Sequence, residues 1–404
     1  MKSLIFGYGL TGQSVERYLI RNNIDYLIYD DSREIVKNID EPKLFKSQDI
    51  NSIDQVIISP GVRPDNDLVL DFEARKIPIR TDIDIFASRY EGDIIGVTPT
   101  NGKTTFVSVL SNFLNSNGMQ TITAGNVGTS PLDLPVEKYD YVILELSSYQ
   151  LHYTSLLKLD LAVIINIYPD HVDWHNDFLH YATAKLKILS FLDNEKSQRK
   201  VIGSSQDVIE TNLPSSNETI KFNKIKMHPE LILTLGETVK IIGNQSLYTK
   251  YLKYMENTEI KYPHRMENFL HLKKRNITFI NDSKATNYHA VNQAAKLISQ
   301  DEDEGILILH GITKETKDSE LTIEPSFKKI IIPKSMNVKL GSNDAEIIYI
   351  DTIHDLKEKI RSLVNMNQVF LFSCGGSSFS DFNNYEERGD FFKELVISLE
   401  INDG

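Results

Sequence analysis

The run Gly96-Val97-Thr98-Pro99-Thr100-Asn101-Gly102-Lys103-Thr104-Thr105 constrains this chain more than any other stretch, because apolar residues lead into it and a helix-compatible pattern begins at Phe106. Strand, turn and helix in that order make a cradle for phosphate. Backbone N–H groups and the helix N-terminus meet anionic oxygens, the lysine neutralises the β- and γ-phosphates, and the next hydroxyl reaches Mg²⁺. The plain reading of the same residues is a surface turn before a helix. The spacing is also not the usual Walker spacing, which needs glycine at the position held by Val97.

What surrounds this run is soluble in character. A chain of 404 residues has room for two or three domains. A formal charge of −12 argues against a nucleic-acid partner or an anionic membrane surface, so an anionic ligand has to be met by locally placed lysine, arginine, helix termini or metal. Cys374 is the one cysteine, which excludes an intrachain disulfide and suggests a reducing compartment. The apolar run Met1 to Phe6 is short for a signal peptide, and nothing approaches a membrane-spanning length. A cytoplasmic protein without membrane insertion is expected.

Three segments follow from the punctuation. In residues 1–90 a strand to Phe6 runs into Gly7-Tyr8-Gly9-Leu10-Thr11-Gly12 and a helical pattern, and a second strand ends at Asp30 and Asp31. This is a Rossmann-like half-domain, with NAD or any other nucleotide as its ligand. Val56 to Ser59 feeds Pro60-Gly61 at the same sheet edge. In residues 91–262, strand Asp140 to Leu144 ends at Glu145, a carboxylate suited to Mg²⁺ beside a phosphate loop. Leu161 to Ile167 delivers Asp170-His171 and His175; one histidine facing a phosphate-bound metal suits this context better than a zinc pair. Phe178 to Leu192 is helical in pattern, and Lys185 and Lys187 read from pattern alone as solvated helix lysines. Residues 194–260 carry no assignable chemistry. In residues 263–404, strands alternate with helices and end at Asn281-Asp282-Ser283-Lys284-Ala285-Thr286-Asn287, at His310 to Lys314, and at Ser373 to Phe379, before Tyr385-Glu386-Glu387-Arg388-Gly389. A third doubly wound domain is expected.

Together, Thr100 to Thr105, Gly125-Asn126-Val127-Gly128, Glu145 to Leu151, Asp170-His171, His264-Arg265, Asn281 to Asn287 and Tyr385 to Gly389 resemble the Mur ligase family along nearly the whole chain. Asn281 to Asn287 is the run that points to its D-glutamate-adding branch. The family's phosphate loop is shorter than Walker's, which accounts for Val97. The resemblance implies three α/β domains: a Rossmann-like one, a central P-loop ATPase-like one with a mostly parallel sheet, and a second Rossmann-like one. It implies ATP-dependent addition of D-glutamate to UDP-N-acetylmuramoyl-L-alanine through an acyl phosphate, in peptidoglycan synthesis and hence cell-wall biogenesis, cell shape and division. A monomer is expected.

Roles come with it by position. Leu10, Thr11, Asp30, Ser59, Gly61 and Asn126 would hold the UDP substrate. Thr100, Asn101, Gly102, Lys103, Thr104 and Thr105 would hold ATP, with Arg265, Asp282 and Lys284. Thr104, Glu145, His171 and Lys185 would hold two Mg²⁺ ions, Lys185 as a carbamate, and Lys103, Glu145, His171 and Lys185 would form the catalytic set. Thr286, Lys314, Ser378 and Tyr385 would bind D-glutamate. Three departures stand out: Pro99 replaces a glycine, Gly243-Asn244-Gln245 is only a loose counterpart of the adenine-contacting motif, and His310 to Lys314 keeps the lysine but not its neighbours. They keep open a non-catalytic nucleotide-binding homologue as the alternative.

Overall fold

A computed structural model describes residues 1–126, 129–135, 139–192, 199–203, 229–258, 262–298, 304–313 and 319–401. Its strands form three sheets, and the fold is α/β throughout. The first sheet runs β2-β1-β3-β4, from β1 (Lys2–Phe6), β2 (Asp25–Tyr29), β3 (Gln55–Ile58) and β4 (Ile79–Arg80), all parallel. The second runs β6-β7-β5-β8-β9, from β5 (Ile94–Thr98), β6 (Thr121–Gly125), β7 (Tyr141–Glu145), β8 (Leu161–Ile164) and β9 (Lys200–Ile202), again all parallel.

The third sheet is β10-β11-β15-β12-β13-β14, from β10 (Glu267–Leu272), β11 (Ile277–Asp282), β12 (Glu304–His310), β13 (Phe327–Pro333), β14 (Glu346–Ile350) and β15 (Gln368–Gly375). Only β10 is antiparallel to its neighbour. Continuous apolar runs form these strands because helices cover both faces of a parallel sheet, so neither face can be polar. Every residue of β5 and of β15 is buried.

By contacts the chain divides into two compact units. One holds the first two sheets; the other holds the third sheet together with Tyr168–Phe178. Within the first unit, helix Leu10–Arg21 grips the turn Ser130–Asp133: Ser14 Oγ donates to Ser130 Oγ (2.8 Å), Arg17 bonds Asp133 (2.5 Å) and Arg21 Nη2 donates to Leu132 O (2.8 Å). Tyr153 OH adds a bond to Val62 O at 3.0 Å.

Some local expectations shift. The pattern Phe178 to Leu192 is α-helical only over Phe178–Leu186, and a 3-10 turn, Lys187–Phe191, completes it. Pro229–Asn257, inside the stretch without assignable chemistry, is helical, with a break where Gly243 and Asn244 leave helical geometry. Its low amphipathic contrast hides it, since Tyr251, packed edge-on against Phe113 at 5.6 Å, lies amid polar neighbours.

Candidate active site

β5 occupies the centre of its sheet, so its C-terminal end opens at the middle of the edge where open α/β sheets take ligands. The chain leaves through Pro99–Asn101, turns at Gly102 with φ +84°, and enters helix Lys103–Ser116. That helix is held by Phe106, Val107, Leu110, Phe113 and Leu114, buried on one face, and has no side-chain cap, so its N-terminus is presented to the loop. Lys103, Thr104 and Thr105 are half-buried on its first turn, and Asn101 and Gly102 are half-buried beside them.

Two lysines converge on one carbonyl. Pro99 O accepts from Lys103 Nζ (3.0 Å) and from Lys185 Nζ (2.8 Å). Lys103 also donates to Thr100 O (2.8 Å), and Lys185 to Thr98 Oγ1 (3.2 Å). Lys185 is 0% exposed, with its ammonium 5.1 Å from the centre of the Tyr181 ring. The solvated-lysine reading is therefore overturned for Lys185: it lies on the buried face of helix Phe178–Leu186. Lys187, half-buried, donates to His152 O (2.7 Å).

Asn166 is the loop's anchor and is not singled out by sequence. Its Oδ1 accepts from both Thr100 N and Asn101 N at 3.0 Å, which pins the turn to the end of the neighbouring strand. Tyr181 OH shares a hydrogen bond with Thr100 Oγ1 at 2.8 Å. The available signal was an amide inside the otherwise apolar run Leu161 to Ile167.

Glu145 ends β7, in register with Val97 of β5 and Gly125 of β6. Gly125 has φ +110°, and a Cβ there would lie 2.2 Å from Glu145 O, so only glycine fits this approach. Asn126 Nδ2 then donates to Glu145 Oε1 at 2.9 Å. Glu145 Oε2 is buried and has no hydrogen-bond partner. A carboxylate at 1% exposure with one satisfied oxygen and one bare oxygen suits a hard divalent cation, which takes carboxylate oxygen readily. Val127 and Gly128 lie outside the described residues.

At the edge of the first sheet the glycine turn is tied to the ends of two strands. Tyr8 N donates to Asp30 Oδ2 (2.6 Å) and Ser59 Oγ donates to Gly7 O (2.7 Å). Leu10 is 87% exposed, Thr11 is half-buried and Gly61 is open. These five residues, Leu10, Thr11, Asp30, Ser59 and Gly61, share one edge, whereas Asn126 sits on Glu145 in the central sheet.

The second unit carries the remaining residues. His171, with φ +53°, precedes helix Val172–His175; its N–H donates to Asp170 Oδ1 (2.9 Å), and Asn287 Nδ2 donates to Asp170 Oδ2 (3.3 Å). Asp282 ends β11 with both oxygens engaged, by Met266 N (3.1 Å) and Ser373 Oγ (2.8 Å), and burial pushes its carboxyl up to about 7. Arg265 lies in the turn so held. Lys284 Nζ stands over the Tyr385 ring at 3.9 Å, and burial with a bond to Glu386 pushes the Tyr385 hydroxyl up to about 12. Thr286 is half-buried and Ser378 is buried, while Lys314 lies outside the described residues. Lys284 and Arg265 thus meet at Tyr385, while Asp282 holds the neighbouring turn through Met266 N.

Known proteins bear on this arrangement. The Mur ligase middle domain matches residues 97–231. A UDP-N-acetylmuramoylalanine--D-glutamate ligase of Rickettsia prowazekii is 30% identical over 97% of this chain and 96% of its own length. One of Thermosipho melanesiensis is 29% identical over 99% and 98%. Among solved structures, the MurF ligase of Thermotoga maritima in complex with ADP aligns with 98% of this chain and 95% of its own at a TM-score of 0.57 and 13% identity. The UDP-N-acetylmuramate-alanine ligase MurC of the same organism covers 98% of this chain and 100% of its own, at a TM-score of 0.53 and 16% identity. At such identities the solved structures speak for the fold, and the sequence relatives speak for the lineage. Full-length likeness to these ligases, joined to a phosphate loop on whose Pro99 carbonyl Lys103 and the buried Lys185 converge and to a carboxylate at the end of the adjoining strand, establishes that this chain belongs to the Mur ligase family.

Proposed function

We propose that this protein forms the amide bond between UDP-N-acetylmuramoyl-L-alanine and D-glutamate at the expense of ATP. The observation that carries the reading is the end-to-end likeness to relatives named for that reaction. ATP use is supported by the phosphate loop and by the ADP held in the related MurF structure.

In this reading the acceptor carboxylate attacks the γ-phosphate, giving an acyl phosphate and ADP. The amine of D-glutamate then attacks the acyl carbon, phosphate leaves, and the amine proton passes to solvent. Positioning and charge neutralisation dominate such chemistry. Lys103, now resting on Pro99 O and Thr100 O, exchanges those carbonyls for phosphate oxygens, and Thr104 follows it on the first helical turn. Asn166 keeps the backbone of Thr100 and Asn101 fixed while this happens. The first-sheet edge with Leu10, Thr11, Asp30, Ser59 and Gly61 takes the uridine nucleotide, and Asn126 orients Glu145.

The bare oxygen of Glu145 fits Mg²⁺, with Thr104, Glu145, His171 and Lys185 as the residues that would hold two ions. When bound, Mg²⁺ supplies charge neutralisation at the transferring phosphoryl group. Lys185 fits as a carbamate: its neutral amine would add CO₂ and lose a proton, replacing an amine with two anionic oxygens. Arg265, Asp282 and Lys284 act on the nucleotide, Asp282 by holding the Arg265 turn. Thr286, Lys314, Ser378 and Tyr385 receive D-glutamate. No helix among the described residues is long and apolar enough to cross a membrane, and a cytoplasmic monomer is the state proposed.

Phosphate release tests this. With Mg²⁺, ATP and UDP-N-acetylmuramoyl-L-alanine, the purified protein is expected to release phosphate with D-glutamate and to discriminate against L-glutamate and D-alanine. Binding of all substrates without release would support the non-catalytic homologue instead.

A further inference from the structure

Arg388 is 0% exposed, on helix Tyr385–Ile397. Its Nε donates to Ser283 Oγ (2.9 Å), Nη1 to His310 O (3.0 Å) and Gly376 O (2.9 Å), and Nη2 to Ser283 O (2.6 Å). These acceptors lie at the C-terminal ends of β11, β12 and β15 or immediately beyond them. All are neutral. Among the described residues no carboxylate comes within ion-pair distance of Arg388; the pairs of this region run His310 to Asp381, His264 to Asp390 and Lys393 to Glu267 and Asp390.

A guanidinium does not give up its proton, so a whole positive charge is buried here with only dipoles to answer it. His310 does not share it. Burial first, and Arg388 next, push that imidazole down to about 4, and its Nδ1 is buried without a hydrogen-bond partner. A side chain whose task was only to cap strand ends could be a neutral amide. Burying a full charge without a counter-ion is costly unless an anion uses it.

The segments tied together are informative. Ser283 opens the turn that reaches Thr286, Gly376 leads to Ser378, and Tyr385 lies one turn before Arg388 on the same helix, its carbonyl accepting from Ser283 Oγ at 2.9 Å. One guanidinium therefore fixes three segments that each carry a residue assigned above to the amino-acid substrate.

We propose that Arg388 is a positioning residue for the carboxylates of that substrate, holding the three segments in register and leaving its own charge unneutralised until a dicarboxylate arrives. The inference rests on the ligase reading and adds to it a residue outside the set drawn from the family. It is tested on the full chain with Arg388→Gln, which removes the charge but keeps a hydrogen-bonding amide, and Arg388→Lys, which keeps the charge but loses the fork. The Michaelis constants for D-glutamate and ATP are measured, along with the preference for D-glutamate over D-2-aminobutyrate, which lacks the side-chain carboxylate.

Arg388→Gln is expected to raise the D-glutamate constant by about tenfold or more, with the ATP constant within about twofold, and to erode the preference for the dicarboxylate. Arg388→Lys is expected to raise the D-glutamate constant only a few-fold and to keep the preference. A folded Arg388→Gln protein with unchanged D-glutamate constant and preference overturns the inference, as does a parallel rise in both constants, the mark of a structural role. If Arg388→Gln does not fold, loss of the preference in Arg388→Lys overturns it. Wild-type protein that does not turn over D-glutamate contradicts the ligase reading before any variant is compared.

Discussion

Lys185 and Arg388 are the two basic side chains fully buried among the described residues, one in each compact unit, and both are held by oxygens at the ends of parallel strands. Their chemistry differs. An amine can shed its proton and be acylated by CO₂, becoming an anion in place; a guanidinium remains a cation under all physiological conditions. Lys185 lies beside a carboxylate-ended strand and a phosphate loop, where an anion able to hold metal is useful. Arg388 lies behind the proposed amino-acid site, where a permanent cation is useful. Similar burial and similar backbone partners thus serve opposite electrostatic ends.

Placing a permanent cation at the first position has the largest expected effect. Lys185→Arg keeps a positive charge and loses the capacity to form a carbamate, and kcat is expected to fall by about 10²–10³, the scale of removing one preorganised electrostatic group. Steady-state phosphate release measures the loss; near-wild-type kcat would mean that an ammonium suffices there. The replacements of Arg388 described above come next, since they are expected to move a Michaelis constant rather than kcat.

A smaller effect concerns Asp282, the buried carboxyl of the second unit. Its folded value of about 7 lies above the unfolded value of roughly 4. The folded state therefore holds a proton across that interval that the unfolded chain has lost, so this contribution is fully present below about pH 4 and disappears as pH rises through about 7. Thermal melts should show the stability of the wild type falling from pH 5 to pH 8 more steeply than that of Asp282→Asn. Parallel slopes would remove Asp282 as the titrating group.

The phosphate loop and the strand ends were legible because glycines, lysines and carboxylates punctuate long apolar runs, and such runs must be strands once their length is short and both faces are buried. The burial of Lys185 was not legible by pattern: helical spacing gives a face, and only the packing of Tyr181 and Thr98 decides which face is inside. Asn166 was missed because a polar residue just past a strand end has no local signature of the loop it pins. Pro99 was legible as a departure. Its carbonyl accepts from two lysines, a role the backbone oxygen of any residue could fill. The helical Pro229–Asn257 escaped because its apolar residues do not gather on one face across the break at Gly243.

Carboxylate activation leaves its mark in the transfer of an oxygen atom. UDP-N-acetylmuramoyl-L-alanine labelled with ¹⁸O in its terminal carboxylate is incubated with the protein, Mg²⁺, ATP and D-glutamate, and the released phosphate is weighed by mass spectrometry. An acyl phosphate requires one labelled oxygen to appear in each phosphate released. Phosphate that carries no label while amide product accumulates would exclude an acyl phosphate.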